Sequence, residues 1–283
     1  MPEIKRRIES VRTGIETPPE QPVTVAIDGG ESTTELIFDN STAIAAKALA
    51  EHLFANSDRS IAGITYALKY KLAEGHVGGD LIDVYHFDND EVSVAVADIA
   101  GKGTQAAIQA AMIKYGLRAY ASHGLSPERV LRSLDRLYLE NNAFESSESF
   151  ASVFFGKFDP TRRLFHYASA AHEPVVIVQP GEPARTLNIT APLIGVFDDQ
   201  HHLFKQAFIH LHAGSLLVAT TDGVTEARND AGEQFGIERF LSLINECRDL
   251  PETEIVNRIL EATEAHCRGK RRDDIAIIAV RVS

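Results

Sequence analysis

Cysteine is scarce in this chain: Cys247 and Cys267 are the only two in 283 residues, and they stand twenty positions apart. No CxxC pair is present, so neither a zinc site nor a disulfide framework is indicated. Basic charge is short as well, with 28 Lys+Arg against 40 Asp+Glu and a formal net charge of −12. That balance argues against general nucleic-acid binding, which needs a basic footprint. No apolar run approaches the roughly 20 residues of a membrane span. The opening MPEIKRRIESVR lacks the apolar centre of a secretion signal. These absences lead us to expect a cytoplasmic protein without membrane or nucleic-acid partners. There is also no low-complexity tract and no internal repeat. A GxxxxGKS or GxxxxGKT phosphate loop is missing too, which argues against the usual handling of nucleoside triphosphates.

What is present is an ordinary globular composition, 44% hydrophobic, long enough for one large domain or two small ones. The most informative stretch is Val77 to Gly103, VGGDLIDVYHFDNDEVSVAVADIAGKG. Leu81 to Phe87 and Val92 to Ala97 are strand-like, and Asp88-Asn89-Asp90 between them is a turn, so the pattern predicts a β-hairpin. A hairpin centred on Asn89 sets Asp80 opposite Asp98, each nine residues from the centre. Like charges so placed repel, and the pair needs water or a cation between its members. An Asp at each end of a hairpin is also an ordinary polar strand end. The glycines favour the cation: Gly78 and Gly79 precede one carboxylate, Gly101 and Gly103 follow the other, and glycine lets backbone approach a ligand closely.

Elsewhere, the charged Met1–Gln21 segment, with Lys5, Arg6, Arg7 and Arg12, reads as an arm and a proline-bearing linker. Val23 to Asn40 holds two strand-like pieces around Asp28-Gly29-Gly30, and Ser41 can cap a helix after them. Ile61 to Ala73 reads as one long strand. Helices are expected over Thr104–Ala121 and from Ser126-Pro127 onward, where serine caps and proline takes the first helical position. FASVFFGKF, RLFHYAS, PVVIVQ, Leu203 to Leu211 and Ser215 to Thr221 read as strands. Helices at Ile237–Cys247 and Glu252–Cys267 and a strand at Ile275–Val282 complete an α+β layered pattern.

Two more strand ends are acidic. GSLLVATT runs into Asp222-Gly223, and IAIIAVRV starts after Asp273-Asp274. Antiparallel pairing of these strands puts Asp222 and Asp274 on one edge. Each also has a plainer reading, as an Asp-Gly turn and as a salt bridge to Arg271 and Arg272. Four carboxylates without Cys, and without His at ligand spacing, select hard cations such as Mg²⁺ and Mn²⁺. Two such ions activate a water and clamp a phosphoryl group for hydrolysis.

VGGDLID (77–83), ADIAGKGTQAA (97–107), ATTDGVTEARNDAGEQFGIERF (219–240) and RDDIAIIAV (272–280), in this order, resemble the metal-dependent serine/threonine phosphatases of the type 2C superfamily. The likeness is closest to the bacterial branch typified by SpoIIE and RsbU, with PLIGVF (192–197) and the segment around His172 as weaker landmarks. The resemblance implies a four-layer α-β-β-α sandwich of two antiparallel sheets flanked by helices, spanning residues 61–283 after an arm of residues 1–60. It implies two Mn²⁺ or Mg²⁺ ions. Asp98 would bridge them, with the Ile99 carbonyl as a further ligand. Asp80 would hold metal or metal-bound water, and Asp222 and Asp274 would complete the second site. Asp80 and Asp98 are the implied catalytic pair.

The implied substrate is a phosphoserine or phosphothreonine on a small protein. It would be an anti-sigma-factor antagonist of a partner-switching, stress-response pathway. The arm reads either as a segment for a regulatory partner or self-association, or as an extra helix packed on the core. Where the family usually has Ala-Gly-His, this chain has Ala170-Ala171-His172. Asp83 is a candidate anchor for water, Lys102 for the phosphate and His172 for a proton, each with a structural alternative. The competing functions are a scaffold on the same fold with activity lost or restrained, and a hydrolase of small phosphoesters.

Overall fold

The computed structural model describes residues 23–28, 33–38, 59–61, 63–71, 79–87, 91–101, 104–145, 149–196, 201–269 and 273–283. The basic arm, Ser41 and the helix expected after it, Gly78, the hairpin tip 88–90, Lys102, Gly103 and Arg271-Arg272 lie outside them. The chain divides into two compact units, Met1–Ala48 and Leu49–Ser283. In the first, β1 (Val23–Asp28) and β2 (Thr33–Phe38) pair antiparallel, Val23 opposite Phe38, so the two strand-like pieces join each other.

Among the described residues, the second unit holds eleven further strands. Those of one sheet are β3 (Arg59–Ile61), β4 (Ile64–Lys71), β9 (Val176–Val178), β10 (Arg185–Thr186), β12 (Leu216–Thr220) and β13 (Ile275–Val282), in the order β10-β9-β12-β13-β4-β3. Those of the other are β5 (Leu81–His86), β6 (Val92–Ile99), β7 (Ala151–Asp159), β8 (Leu164–Ala170) and β11 (Ala207–His210), in the order β11-β8-β7-β6-β5. The pairings within both sheets are antiparallel.

Side-chain alternation explains why the central strands are apolar at nearly every position. In β13, Ala276, Ile278, Val280 and Val282 face the other sheet, with Leu217 and Ala219 of β12 beside them. Across that interface stand Ile82, Val94, Val96, Phe154, Phe165 and Tyr167, the last three with ring centroids 5.8–6.3 Å apart. Ile275, Ile277 and Ala279 point the opposite way, onto helices α4 (Gly236–Cys247) and α5 (Glu252–Cys267), which cover them with Phe240, Ile244, Ile255 and Ile259. Each such side chain contributes about 1.5–3 kcal/mol by leaving water. Helices α1 (Thr104–Ser122) and α2 (Pro127–Glu145) pack on the outer face of the five-stranded sheet, with Ile113, Leu117, Leu131, Leu134 and Tyr138 fully buried. The result is the four-layer α-β-β-α sandwich.

Four local expectations differ from the structure. The strand expected over 61–73 is broken: Ile61 pairs with Ile64, and Gly63 takes φ +80°, which glycine adopts without strain. The strand over 203–211 shrinks to β11, because the Lys205 amide turns away to the Thr190 carbonyl at 3.0 Å and His201–Leu203 form a single 3₁₀ turn. Asp222-Gly223 is no hairpin turn but the start of a four-residue helix, α3 (Asp222–Thr225). At the start of α2, the Ser126 carbonyl accepts from the Val130 amide at 2.9 Å, while its hydroxyl bonds the Glu128 carboxylate instead of the helix backbone.

Candidate metal centre

The β5–β6 hairpin has the symmetric register, Leu81 opposite Ala97 through His86 opposite Val92. Extending it by one residue sets Asp80 against Asp98. Their backbones are close: a Cβ on Gly79 would lie 2.6 Å from the Ile99 carbonyl oxygen, so only glycine fits there. In the other sheet, β12 and β13 pair with Thr220 opposite Ile277, which brings Asp222 and Asp274 to one edge. A Cβ on Gly223 would meet the Asp274 carbonyl at 1.8 Å. The two acidic edges are then joined, because the Thr221 hydroxyl donates to Asp80 Oδ2 at 2.6 Å. Tyr70, on β4, donates to Asp274 Oδ2 at 3.3 Å.

Asp98, Asp274 and Asp222 each act electrostatically on Asp80. Burial, then Asp273, Glu173, Asp274 and Glu226, pushes the Asp98 carboxyl up to about 6. Burial and then Asp98 push Asp222 up to about 7, with Asp273, Glu226 and Glu173 adding to it. Asp80 is raised by burial first and by Asp98 next, against the opposing hydrogen bond from Thr221. Burial, Asp80 and Asp274 together raise the Tyr70 phenol.

The four carboxylates are anionic oxygen donors, the chemistry of a hard cation. Among the described residues no three His, Cys, Asp or Glu side chains close on a single ion. Hard cations such as Mg²⁺ keep several waters and take only one or two carboxylates directly. Beside Asp222 opens a cleft of about 520 Å³ lined by Gly223, Glu226, Arg228, Asp230 and Asp273.

The other candidates part company with this cluster. Asp83 lies on the outer side of the sheet, held by Arg118 of α1 at 2.6 and 2.7 Å with Lys114 at 3.7 Å. It ties α1 to β5. His172 is buried, its Nδ1 2.8 Å from the Ser152 hydroxyl. Burial pushes its pKa down to about 3, so the ring is neutral and braces β7. The Ala171 that replaces the family glycine takes φ +47°. Thr221, Tyr70 and Glu173 were not singled out in the sequence. Their roles arise from contacts across strands and sheets, and no local pattern in VATTDG or ALKYK signals them.

The curated phosphoserine phosphatase RsbU of Bacillus subtilis is 31% identical to this chain over 204 residues, which cover 70% of this chain and 58% of RsbU. Among solved structures, the SiaA-PP2C domain of Pseudomonas aeruginosa superposes with a TM-score of 0.67 at 19% identity, covering 86% of this chain and 94% of that one. The catalytic domain of the serine/threonine phosphatase PstP, solved with two manganese ions, gives 0.57 at 13% identity over 77% of this chain and 98% of that one. These two likenesses are of fold. The family profile of Stage II sporulation protein E (SpoIIE) matches residues 88–283, well over half of the sequence, and the chain belongs to that family.

Proposed function

We propose that this chain is a metal-dependent serine/threonine protein phosphatase of the cytoplasm, with its catalytic domain at residues 61–283 and a regulatory arm at 1–60. The observation that carries the reading is the convergence of Asp80, Asp98, Asp222 and Asp274 at one edge where the two sheets meet. Identity with RsbU, a phosphoserine phosphatase, supports the reaction. The two manganese ions in PstP support the cofactor.

Asp98 and the Ile99 carbonyl would help to hold two Mn²⁺ or Mg²⁺ ions. Asp80 would hold metal or its water, and Asp222 and Asp274 would complete the second site. Bound ions of this kind supply Lewis acidity and an activated water for attack on phosphorus. The chain's own part is to hold the carboxylates in place. Gly79 and Gly223 let the backbones meet, and Thr221 and Tyr70 donate to Asp80 and Asp274. The cleft beside Asp222 gives a protein-borne phosphoserine or phosphothreonine room to enter. The substrate we propose is a small regulatory phosphoprotein of the anti-sigma-antagonist type, in a partner-switching pathway. Among the described residues no helix is long and apolar enough to cross a membrane.

The test is a panel of phosphoserine and phosphothreonine peptides beside nucleotides, each with Mn²⁺, Mg²⁺ or EDTA. Metal-dependent release of phosphate from the peptides is expected. Preference for nucleotides would sink the protein-phosphatase reading.

A further inference from the structure

One uncharged side chain joins the two sheets at their acidic edge. Thr221 is fully buried. Its hydroxyl accepts from the Ala276 amide at 3.1 Å and donates to Asp80 Oδ2 at 2.6 Å. Its own amide donates to the Ala276 carbonyl, also at 3.1 Å. A hydroxyl has a single proton, so here the proton is committed to Asp80 while a lone pair is held by Ala276. A bond of this kind to a carboxylate is charge-assisted, and the amide-to-hydroxyl-to-carboxylate chain polarises in one direction. Thr221 immediately precedes Asp222, and Ala276 lies two residues beyond Asp274. The same hydroxyl therefore links the segments that carry Asp80, Asp222 and Asp274.

We propose that Thr221 is a positioning residue: its hydroxyl fixes the Asp80 carboxylate of one sheet against Asp222 and Asp274 of the other, in the arrangement that receives the cation. This rests on the metal-dependent reading above. The contrasting role is a packing staple between the sheets, and two substitutions separate them. Thr221→Val keeps the volume and removes the hydroxyl. Thr221→Ser keeps the hydroxyl and loses a methyl group. A positioning hydroxyl makes the valine variant the worse of the two; a packing staple makes the serine variant worse.

The readout is Mn²⁺ affinity of the full chain without substrate, by calorimetry or by the electron paramagnetic resonance of free Mn²⁺. Partners in the outer shell of a metal site are typically worth 10–100-fold in affinity. We expect Thr221→Val to lose about that much and Thr221→Ser to stay within about threefold of the unmodified chain. Should the valine variant not fold, Thr221→Cys, a weak donor of similar size, is expected to lose affinity in the same direction. Unchanged affinity in the valine or cysteine variant, or a serine variant as weak as the valine one, overturns the proposal. Asp98→Asn runs beside them. If it loses Mn²⁺ while Thr221→Val keeps it, only the role of Thr221 fails. If the unmodified chain binds no Mn²⁺, the metal reading fails and this proposal with it.

Discussion

Ala171 sits in the left-handed region at φ +47°, directly before the buried His172 and with its amide bonded to the Ala191 carbonyl at 3.0 Å. That conformation costs an L-residue roughly 1–2 kcal/mol, partly offset by the smaller freedom alanine loses on folding compared with glycine. Ala171→Gly should therefore stabilise the domain by up to about 1 kcal/mol, or about 2–4 °C in melting temperature. A lower melting temperature would show the loop to be unstrained. His172 provides a pH signature. Its pKa is about 3 when buried and near 6.5 in the unfolded chain, so between those values the unfolded state binds the extra proton. Stability from this residue is complete above about pH 6.5 and is lost as pH falls towards 3. In urea titrations, His172→Gln should flatten the stability slope in that window by about 1.4 kcal/mol per pH unit. An unchanged slope would mean the ring titrates normally.

At the scale of elements, the β12–α3 corner and the start of β13 approach closely at Gly223. The Asp274 carbonyl occupies the space a Cβ on Gly223 would need. Gly223→Ala must push β13 aside, at a typical overpacking cost of about 1–3 kcal/mol, and should weaken Mn²⁺ binding by displacing Asp274. Full Mn²⁺ affinity in that variant would mean Asp274 is not a ligand. Element-scale features were also the most legible in the sequence. The 81–99 hairpin register followed from counting outward from Asn89, and α5 and β13 have the expected ends. What counting along the chain could not give was the broken strand at Gly63, where the second strand needs only three residues. Nor could it give the bonds from Thr221 and Tyr70, which cross 141 and 204 residues of sequence. Asp83, read as a candidate anchor for water, meets Arg118 instead, because three positions past Asp80 is the opposite face of a strand.

For the whole molecule, two sheets buried on both faces create an edge where strand ends from each sheet face one another. Carboxylates gathered there crowd one another, with Asp80 and Asp274 buried and Asp98 and Asp222 half-buried. A cation that binds only the folded state adds stability by mass action, about 2.7 kcal/mol at one hundred times its Kd. For a domain of this size we expect Mn²⁺ at that excess to raise the melting temperature by roughly 5–10 °C and EDTA to reverse the rise. A melting temperature indifferent to Mn²⁺ would count against the site.

The most direct test is turnover of a generic phosphomonoester with Mn²⁺ by the unmodified chain, Asp98→Asn and Asp222→Asn, with EDTA as the blank. One member of the cluster comes from each sheet, so both substitutions should abolish turnover only if the two edges form a single centre. We expect Mn²⁺-dependent hydrolysis in the unmodified chain and a loss of about a hundredfold or more in both variants, in keeping with the loss of a charge-stabilising group. Undiminished hydrolysis in either variant, or equal hydrolysis in EDTA, would contradict a metal centre built from Asp80, Asp98, Asp222 and Asp274.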